Sequence, residues 1–258
     1  MTEGSSPSGI DFVITSAKRV LDYAGRWGGA TALLPRAELD TADRFRNPAD
    51  GRAYIGAHIL FRSMAVNVLG IPMEKSSGLA VHRKCHSCGG PHGKPMIEGT
   101  SLSLSRSGQT VLVASGPAGI PLGADLESVP ASLHAGFDDF SLSATEQAGL
   151  ACSDIESRIR LWVAKEAALK VHGHGLTVEP RRLHLGPAEQ GLSTPSGWSV
   201  DVEAPSHGDL DGLHIAWLRA PAGLTAAVAS TLRASIRELD LAQSLFASRL
   251  HYSSPRTS

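Results

Sequence analysis

The sequence predicts an α+β fold built from two similar halves. Two observations lead there. Apolar residues recur at helical spacing near residues 52–69 and 153–171, and short alternating or continuous apolar runs of strand length follow each of those stretches. The order of helices and strands then repeats in rough outline along the chain, which suits layered sheets and helices.

Taken in order, residues 1–17 read as a disordered tail because they open on Ser, Gly and Pro. The N-terminal half covers 18–130. Its helix runs from about Arg52 to Leu69, with Ile55, Ile59, Met64 and Val66 among Arg52 and Arg62, and Gly70 to Pro72 closes it. Gly78 to Pro95 is loop-like and rich in Cys, His and Gly. Ser101 to Ser105 alternates Ser with Leu, Arg106 to Gln109 forms a turn, and Val111 to Ala114 is a short apolar strand. Ser115 to Gly119 turns again into a strand over Ile120 to Glu127. The C-terminal half covers 131–250. Ser143-Ala144-Thr145-Glu146 matches a capping box. Ser153 to Val171 is a helix with Ile155, Ile159, Trp162 and Val163 on one stripe, stopped by Gly173 and Gly175. Strands are expected at Trp198 to Val202, Leu213 to Leu218 and Leu224 to Ser230, and a last helix from about Thr231 to Leu250. Residues 251–258 read as a second tail.

Composition narrows the function classes. The 258 residues are 42% hydrophobic and 19% charged, in keeping with a soluble protein and a sizeable core. Lys plus Arg is 24 against 25 Asp plus Glu, which argues against a nucleic-acid binder. No apolar run reaches bilayer length, and the N-terminus has no charged-then-apolar signal, so the expected location is the cytoplasm. Cys85, Cys88 and Cys152 are too few for a disulfide framework. P-loop, GxGxxG, GxSxG and HExxH patterns are absent from the sequence.

Several residues could carry chemistry. Asp125 and Glu127 lie two apart at the end of a strand, hence on one face, where paired carboxylates suit a hard cation such as Mg²⁺. Solvated charges at a strand end would look the same. Trp162, Glu166 and Lys170 are spaced by four and share one helix face. Glu166 is then a third candidate ligand and Lys170 a phosphate partner, against the plainer reading of a surface ion pair. Glu146 is accounted for by the capping box unless it also reaches the cleft as a base. Lys94 in Gly93-Lys94-Pro95 and Arg106 in Ser105-Arg106-Ser107-Gly108 place cations in turns suited to phosphate. Arg44 and Arg52 are further cations near a helix start. Cys85-x2-Cys88, with His82, His86 and His92, offers zinc ligands but lacks the second CxxC pair of a zinc ribbon, so a cysteine-bearing surface loop is the simpler expectation. Cys152 reads as a packing residue near a helix start.

In order and spacing, three of these segments resemble the 4′-phosphopantetheinyl transferases of the single-chain, surfactin-synthetase-activating type. Gly123-Ala124-Asp125-Leu126-Glu127 is similar to the family's G-[VIA]-D-x-E strand, and Phe140-Ser141-Leu142-Ser143-Ala144-Thr145-Glu146 to its F-S-x-x-E segment. Trp162 to Lys170, followed by Gly173, resembles W-x-x-K-E-A-x-x-K and its trailing glycine. The run from Cys85 to Pro95 is also similar to one seen in many members. Arg106 departs from the pattern, because the family usually has His there.

The resemblance implies a pseudo-dimer of two α/β halves with the active site in the cleft between them, working as a monomer. It implies transfer of 4′-phosphopantetheine from coenzyme A to a serine of an apo acyl or peptidyl carrier protein, leaving adenosine 3′,5′-bisphosphate. Fatty-acid, polyketide and peptide carriers all fit; nucleic acid and membrane do not. Mg²⁺ is implied on Asp125, Glu127 and Glu166. Glu146 is the implied base and Lys170 the leaving-group partner. Arg44, Arg52, Lys94, Ser105, Arg106 and Lys165 are implied to hold coenzyme A. The alternatives are a catalytically degenerate relative that binds coenzyme A or carrier protein, and a zinc-stabilised interaction module centred on Cys85, Cys88 and His92.

Overall fold

A computed structural model describes residues 9–85, 88–151, 154–186 and 200–242. The strands are β1 (Gly9–Ser16), β2 (His82–Arg83), β3 (Pro95–Met96), β4 (Ser101–Ser107), β5 (Thr110–Gly116), β6 (Leu122–Ser128), β7 (His184–Leu185), β8 (Val200–Glu203), β9 (His214–Leu218), β10 (Leu224–Ser230) and β11 (Ser235–Glu238). The α-helices are α1 (Ala17–Ala24), α2 (Ala30–Leu33), α3 (Arg36–Ala42), α4 (Pro48–Leu69), α5 (Phe137–Ser141), α6 (Ala144–Gly149) and α7 (Ile155–His172).

Two sheets carry the fold. One has the order β11-β1-β5-β4, with β11 parallel to β1 and the other pairs antiparallel; the other is an antiparallel sheet in the order β6-β10-β9-β8-β7. Strand alternation sorts their side chains into layers. Ile10 and Phe12 of β1, Leu112 and Ala114 of β5, Leu122, Ala124 and Leu126 of β6, and Ala226 and Val228 of β10 form a core between the sheets. Val13, Val111 and Val113 point the other way, into a core with α1 and α4. Ala227 and Ala229 of β10 and Ile215 of β9 likewise pack against Val163, Ala164, Ala167 and Ala168 of α7. The result is helices, sheet, sheet, helix: a mixed α and β architecture, consistent with the expected α+β class.

Both long helices are bounded by local chemistry. Asn47 Oδ1 accepts the Ala49 N–H, Pro48 occupies the first turn, and Gly70 in the left-handed region ends α4. Asp154 caps α7 by accepting the Ser157 N–H, and Gly173 at φ +78° ends it. The capping box of Ser143 and Glu146 is formed at the start of α6.

Two expectations need correction. The tail predicted over 1–17 contains β1, which lies between β11 and β5 in its sheet. A Ser- and Gly-rich start masks a run, Ile10 to Thr15, whose Ile10, Phe12 and Val13 are buried. The helix predicted from Thr231 is β11 over Ser235–Glu238 instead. Helical spacing of Leu232, Ile236 and Leu239 also fits an extended segment here. Arg237 pairs with Asp11 at 2.9 Å, and the Leu239 N–H donates to Phe12 O at 2.7 Å, which extends the ladder with β1. This strand carries the C-terminal segment back into the first sheet, across the boundary expected at 130. Positions 243–250 of that predicted helix, the tail 251–258, the start of the strand expected at Trp198, Cys152 and His86 lie outside the described residues.

The sheets meet at a serine seam. Ser103 Oγ of β4 accepts the Ala124 N–H of β6 at 2.8 Å, and Ser107 Oγ accepts the Ser128 N–H at 3.0 Å. β6 is the edge of its sheet, and these hydroxyls satisfy backbone groups an edge would otherwise leave open. The Leu–Ser alternation of β4 thus has a structural reason: Leu102 faces the helical core and the serines face β6.

Candidate active site

β6 and α7 build the site together. Leu122, Ala124 and Leu126 point into the core between the sheets, so alternation turns Gly123, Asp125 and Glu127 toward α7. Gly123 then sets the separation. A Cβ on it would fall 1.9 Å from Ala167 O and 2.8 Å from Val171 N, so α7 rests directly on the β6 backbone. That approach brings Lys170, one residue before Val171, onto Asp125.

The contacts are short. Lys170 Nζ lies 2.5 Å from Asp125 Oδ1 and donates to Ser105 Oγ at 3.2 Å, while Ser105 Oγ donates to the same Asp125 oxygen at 2.7 Å. Ser107 Oγ donates to Glu127 Oε2 at 3.2 Å. Glu166, one turn before Lys170, faces the same space. Ser105, Asp125, Glu127, Glu166 and Lys170 line a cavity of about 620 Å³ with Lys94, Arg106, Arg83, Phe45, Tyr54 and His58 on its other walls.

The electrostatics are those of crowded acids. Burial, then the charges of Asp125 and Glu127, push Glu166 up to about 7, with Lys170 opposing. Burial and then Asp125 raise Glu127 as well. Burial, followed by the nearby Lys170, lowers Lys94 to about 8. Asp125 Oδ2 and Glu166 Oε1 are buried without a hydrogen-bond partner. Two orphaned carboxylate oxygens in an all-oxygen donor set fit a hard divalent cation.

Of the residues singled out in the sequence, Asp125, Glu127, Glu166, Lys170, Lys94, Ser105 and Arg106 come together around this cavity. Lys94 also serves the fold, donating to Leu122 O at 2.6 Å and Val171 O at 3.1 Å. Arg44 and Arg52 are exposed and do not line it, though Phe45 and Tyr54 beside them do.

Glu146 and Lys165 stand apart from the cavity. Lys165 is fully buried, donating to Ser141 O at 2.9 Å and to Glu146 Oε2 at 2.5 Å. Glu146 Oε2 also accepts the Ser143 N–H at 2.8 Å, and its Oε1 accepts the Leu185 N–H at 3.2 Å. Neither residue lines the cavity. The reason is helical phase: Lys165 precedes Glu166 by about 100° of turn and points to α5 and α6 instead.

Other wall residues were not anticipated. Tyr54 and His58 are one turn apart on α4 and stack with ring centroids 4.0 Å apart; Phe45 lies 5.6 Å from Tyr54, and the Arg106 guanidinium sits 5.3 Å from the Phe45 ring. The i, i+4 aromatic pair inside the predicted helix was the available signal. His58 is fixed from behind by Glu38, which Arg62 also holds through Nε at 3.1 Å and Nη2 at 2.8 Å.

A cavity that sets carboxylates and cations side by side has the chemistry to take an anionic ligand together with a divalent metal. Residues 121–209 match the model of the 4′-phosphopantetheinyl transferase superfamily. This segment includes β6, α7 and the acids and lysine just described. Among curated proteins none matches the chain. No helix among the described residues is long and apolar enough to cross a membrane.

Proposed function

We propose that this chain transfers 4′-phosphopantetheine from coenzyme A to a serine hydroxyl of an apo acyl or peptidyl carrier protein. The observation that carries the reading is the convergence of Asp125, Glu127, Glu166 and Lys170 on one cavity, inside the segment that matches the superfamily. The two sheets and their helices serve as the halves of a pseudo-dimer, with the cavity between β4 and β6 as the cleft, and the chain acts as a monomer.

Asp125, Glu127 and Glu166 would hold Mg²⁺. When bound, the ion neutralises charge on the pyrophosphate of coenzyme A. Lys94, Arg106 and Arg83 supply further positive charge along the cavity wall, and the Phe45–Tyr54–His58 face offers flat apolar surface to the nucleotide.

The carrier serine attacks the phosphorus bearing the pantetheine arm, and the bond from that phosphorus to the bridging oxygen breaks. The serine proton needs an acceptor. With Glu146 engaged by Lys165, the acceptor within the cavity is Glu166: its orphaned Oε1 is the oxygen offered to the ion, and its other carboxylate oxygen takes the proton directly or through water. Lys170 donates to the departing adenosine 3′,5′-bisphosphate. Arg106 keeps the cation that His supplies in the family and adds a two-pronged donor.

Calorimetric titration with coenzyme A tests the binding half of this reading. Mg²⁺ is expected to tighten binding, and Asp125→Ala to remove that dependence. Equal affinity with and without Mg²⁺, or no binding at all, would overturn it.

A further inference from the structure

Outside the cavity, the described residues hold another cluster of ligand atoms. The sulfur of Cys85, the sulfur of Cys88 and a ring nitrogen of His92 all lie within 4.8 Å of one another, and Cys88 Sγ is 3.1 Å from His92 Nε2. Among the described residues it is the only group of three or more His, Cys, Asp or Glu donors gathered this closely. We propose that Cys85, Cys88 and His92 bind a Zn²⁺ ion, with solvent completing a tetrahedral set.

The donor chemistry selects the metal. Two thiolates and an imidazole are soft to borderline ligands, which favour zinc over Mg²⁺ or Ca²⁺. Zinc–sulfur bonds near 2.3 Å and zinc–nitrogen bonds near 2.0 Å place tetrahedral ligand atoms roughly 3.5–3.8 Å apart, so small side-chain rotations within this cluster suffice.

The backbone is already folded for it. The Cys85 N–H donates to Gly90 O, the Gly89 N–H to Cys85 O and the His92 N–H to Gly90 O, each at 2.9 Å. These bonds wrap the loop so that Cys85, Cys88 and His92 face one point. Gly89 at φ +70° takes the left-handed turn after Cys88. A Cβ on Gly90 would sit 3.3 Å from both Cys88 Sγ and His92 Cδ2, so the missing side chain leaves room for the two ligands to approach.

The position gives the ion a task. Arg83 and Lys94 flank the loop, and Arg83 Nη1 donates to Gly93 O at 2.8 Å across its base. Arg83, Gly93 and Lys94 all line the large cavity. Cys88, Gly89 and His92 are exposed, and a zinc ion would pin the spacing of the loop's two cationic ends. Loading replaces the thiol protons, so zinc uptake releases protons to solvent.

The test is metal analysis of the full chain, purified under reducing conditions without chelator, by native mass spectrometry and elemental analysis. One zinc per chain is expected, retained in Cys152→Ser and lost in Cys88→Ser and His92→Ala. Replacement by Co²⁺ is expected to give the thiolate charge-transfer and tetrahedral visible bands in the parent protein, which requires no folded variant. A reduced parent protein that neither carries zinc nor takes up Co²⁺ would overturn the proposal. So would full zinc occupancy in the Cys85→Ser/Cys88→Ser double variant, or a Cys85–Cys88 disulfide in the reduced preparation. Stoichiometry is read without turnover, so the zinc site stands or falls apart from the transfer reaction.

Discussion

Lys170 Nζ and Asp125 Oδ1 lie 2.5 Å apart, joining α7 to β6 at the floor of the cavity. Asp125 is buried, whereas about a quarter of the Lys170 side chain (28%) is exposed, toward the cavity. The lysine holds the acid in place while keeping a face for ligand.

Removing the lysine therefore has a separable effect. Lys170→Ala is expected to cut transfer per folded molecule by at least about 100-fold, well beyond the loss of stability from leaving buried Asp125 with Ser105 as its remaining side-chain donor. Steady-state kinetics beside a melting curve checks this. Near-normal kcat would remove Lys170 from the chemistry.

Gly123→Ala tests how α7 reaches β6. The added methyl cannot fit 1.9 Å from Ala167 O, so helix and strand must part. Destabilisation of about 1–3 kcal/mol is expected from overpacking, with a loss of activity larger than the loss of folded protein. Denaturant unfolding and activity per folded molecule measure the two. A variant of unchanged stability and rate would contradict the close packing.

Glu146 provides the contrast. Glu146→Ala leaves Lys165 buried without its carboxylate, and a loss of about 3–5 kcal/mol is expected. Folded enzyme should still turn over at low temperature, and Glu146→Leu combined with Lys165→Met should recover much of the stability. A stable Glu146→Ala protein with abolished turnover would make Glu146 part of the reaction after all.

The sign of one pH effect follows from Glu38. Burial alone would raise its carboxyl, but hydrogen bonds from His58 and Arg62, with their charges, hold it at about 2, against 4.5 for an ordinary glutamate. A lowered folded-state value stabilises the protein above about pH 4.5, and the contribution fades as pH falls toward 2. Its size is up to about 3 kcal/mol. The stability gap between parent and Glu38→Gln, from urea unfolding at pH 7, 5, 4 and 3, should be constant from 7 to 5 and then narrow. A gap that widens on acidification would contradict the arrangement.

The residues carry this much of the account on their own for physical reasons. Asp125 and Glu127 share a face because strands alternate; Glu166 and Lys170 share one because helices turn every 3.6 residues. Periodicity does not say which stripe of α7 faces the cavity. Lys165 and Glu166 are adjacent, and only the packing of Gly123 under Ala167 decides that Glu166 points in and Lys165 out. β1 and β11 were lost for a related reason. They pair with each other across most of the chain, and a short strand such as Ser235–Glu238 has one apolar residue to mark it. Tyr54 and His58 sit at i, i+4 on one helix, but Phe45 reaches them from a loop, a contact that no local pattern records.

The most direct measurement of the central claim is intact-mass spectrometry of an apo carrier protein after incubation with this protein and coenzyme A. Three arms are needed: Mg²⁺ present, EDTA added, and Mg²⁺ restored after EDTA, so that loss of zinc is not mistaken for loss of magnesium. The account predicts a gain of one phosphopantetheine on the carrier with Mg²⁺, none with EDTA, and recovery on adding Mg²⁺ back. No gain on fatty-acid, polyketide or peptide carriers, in protein that binds coenzyme A, would contradict the transferase reading.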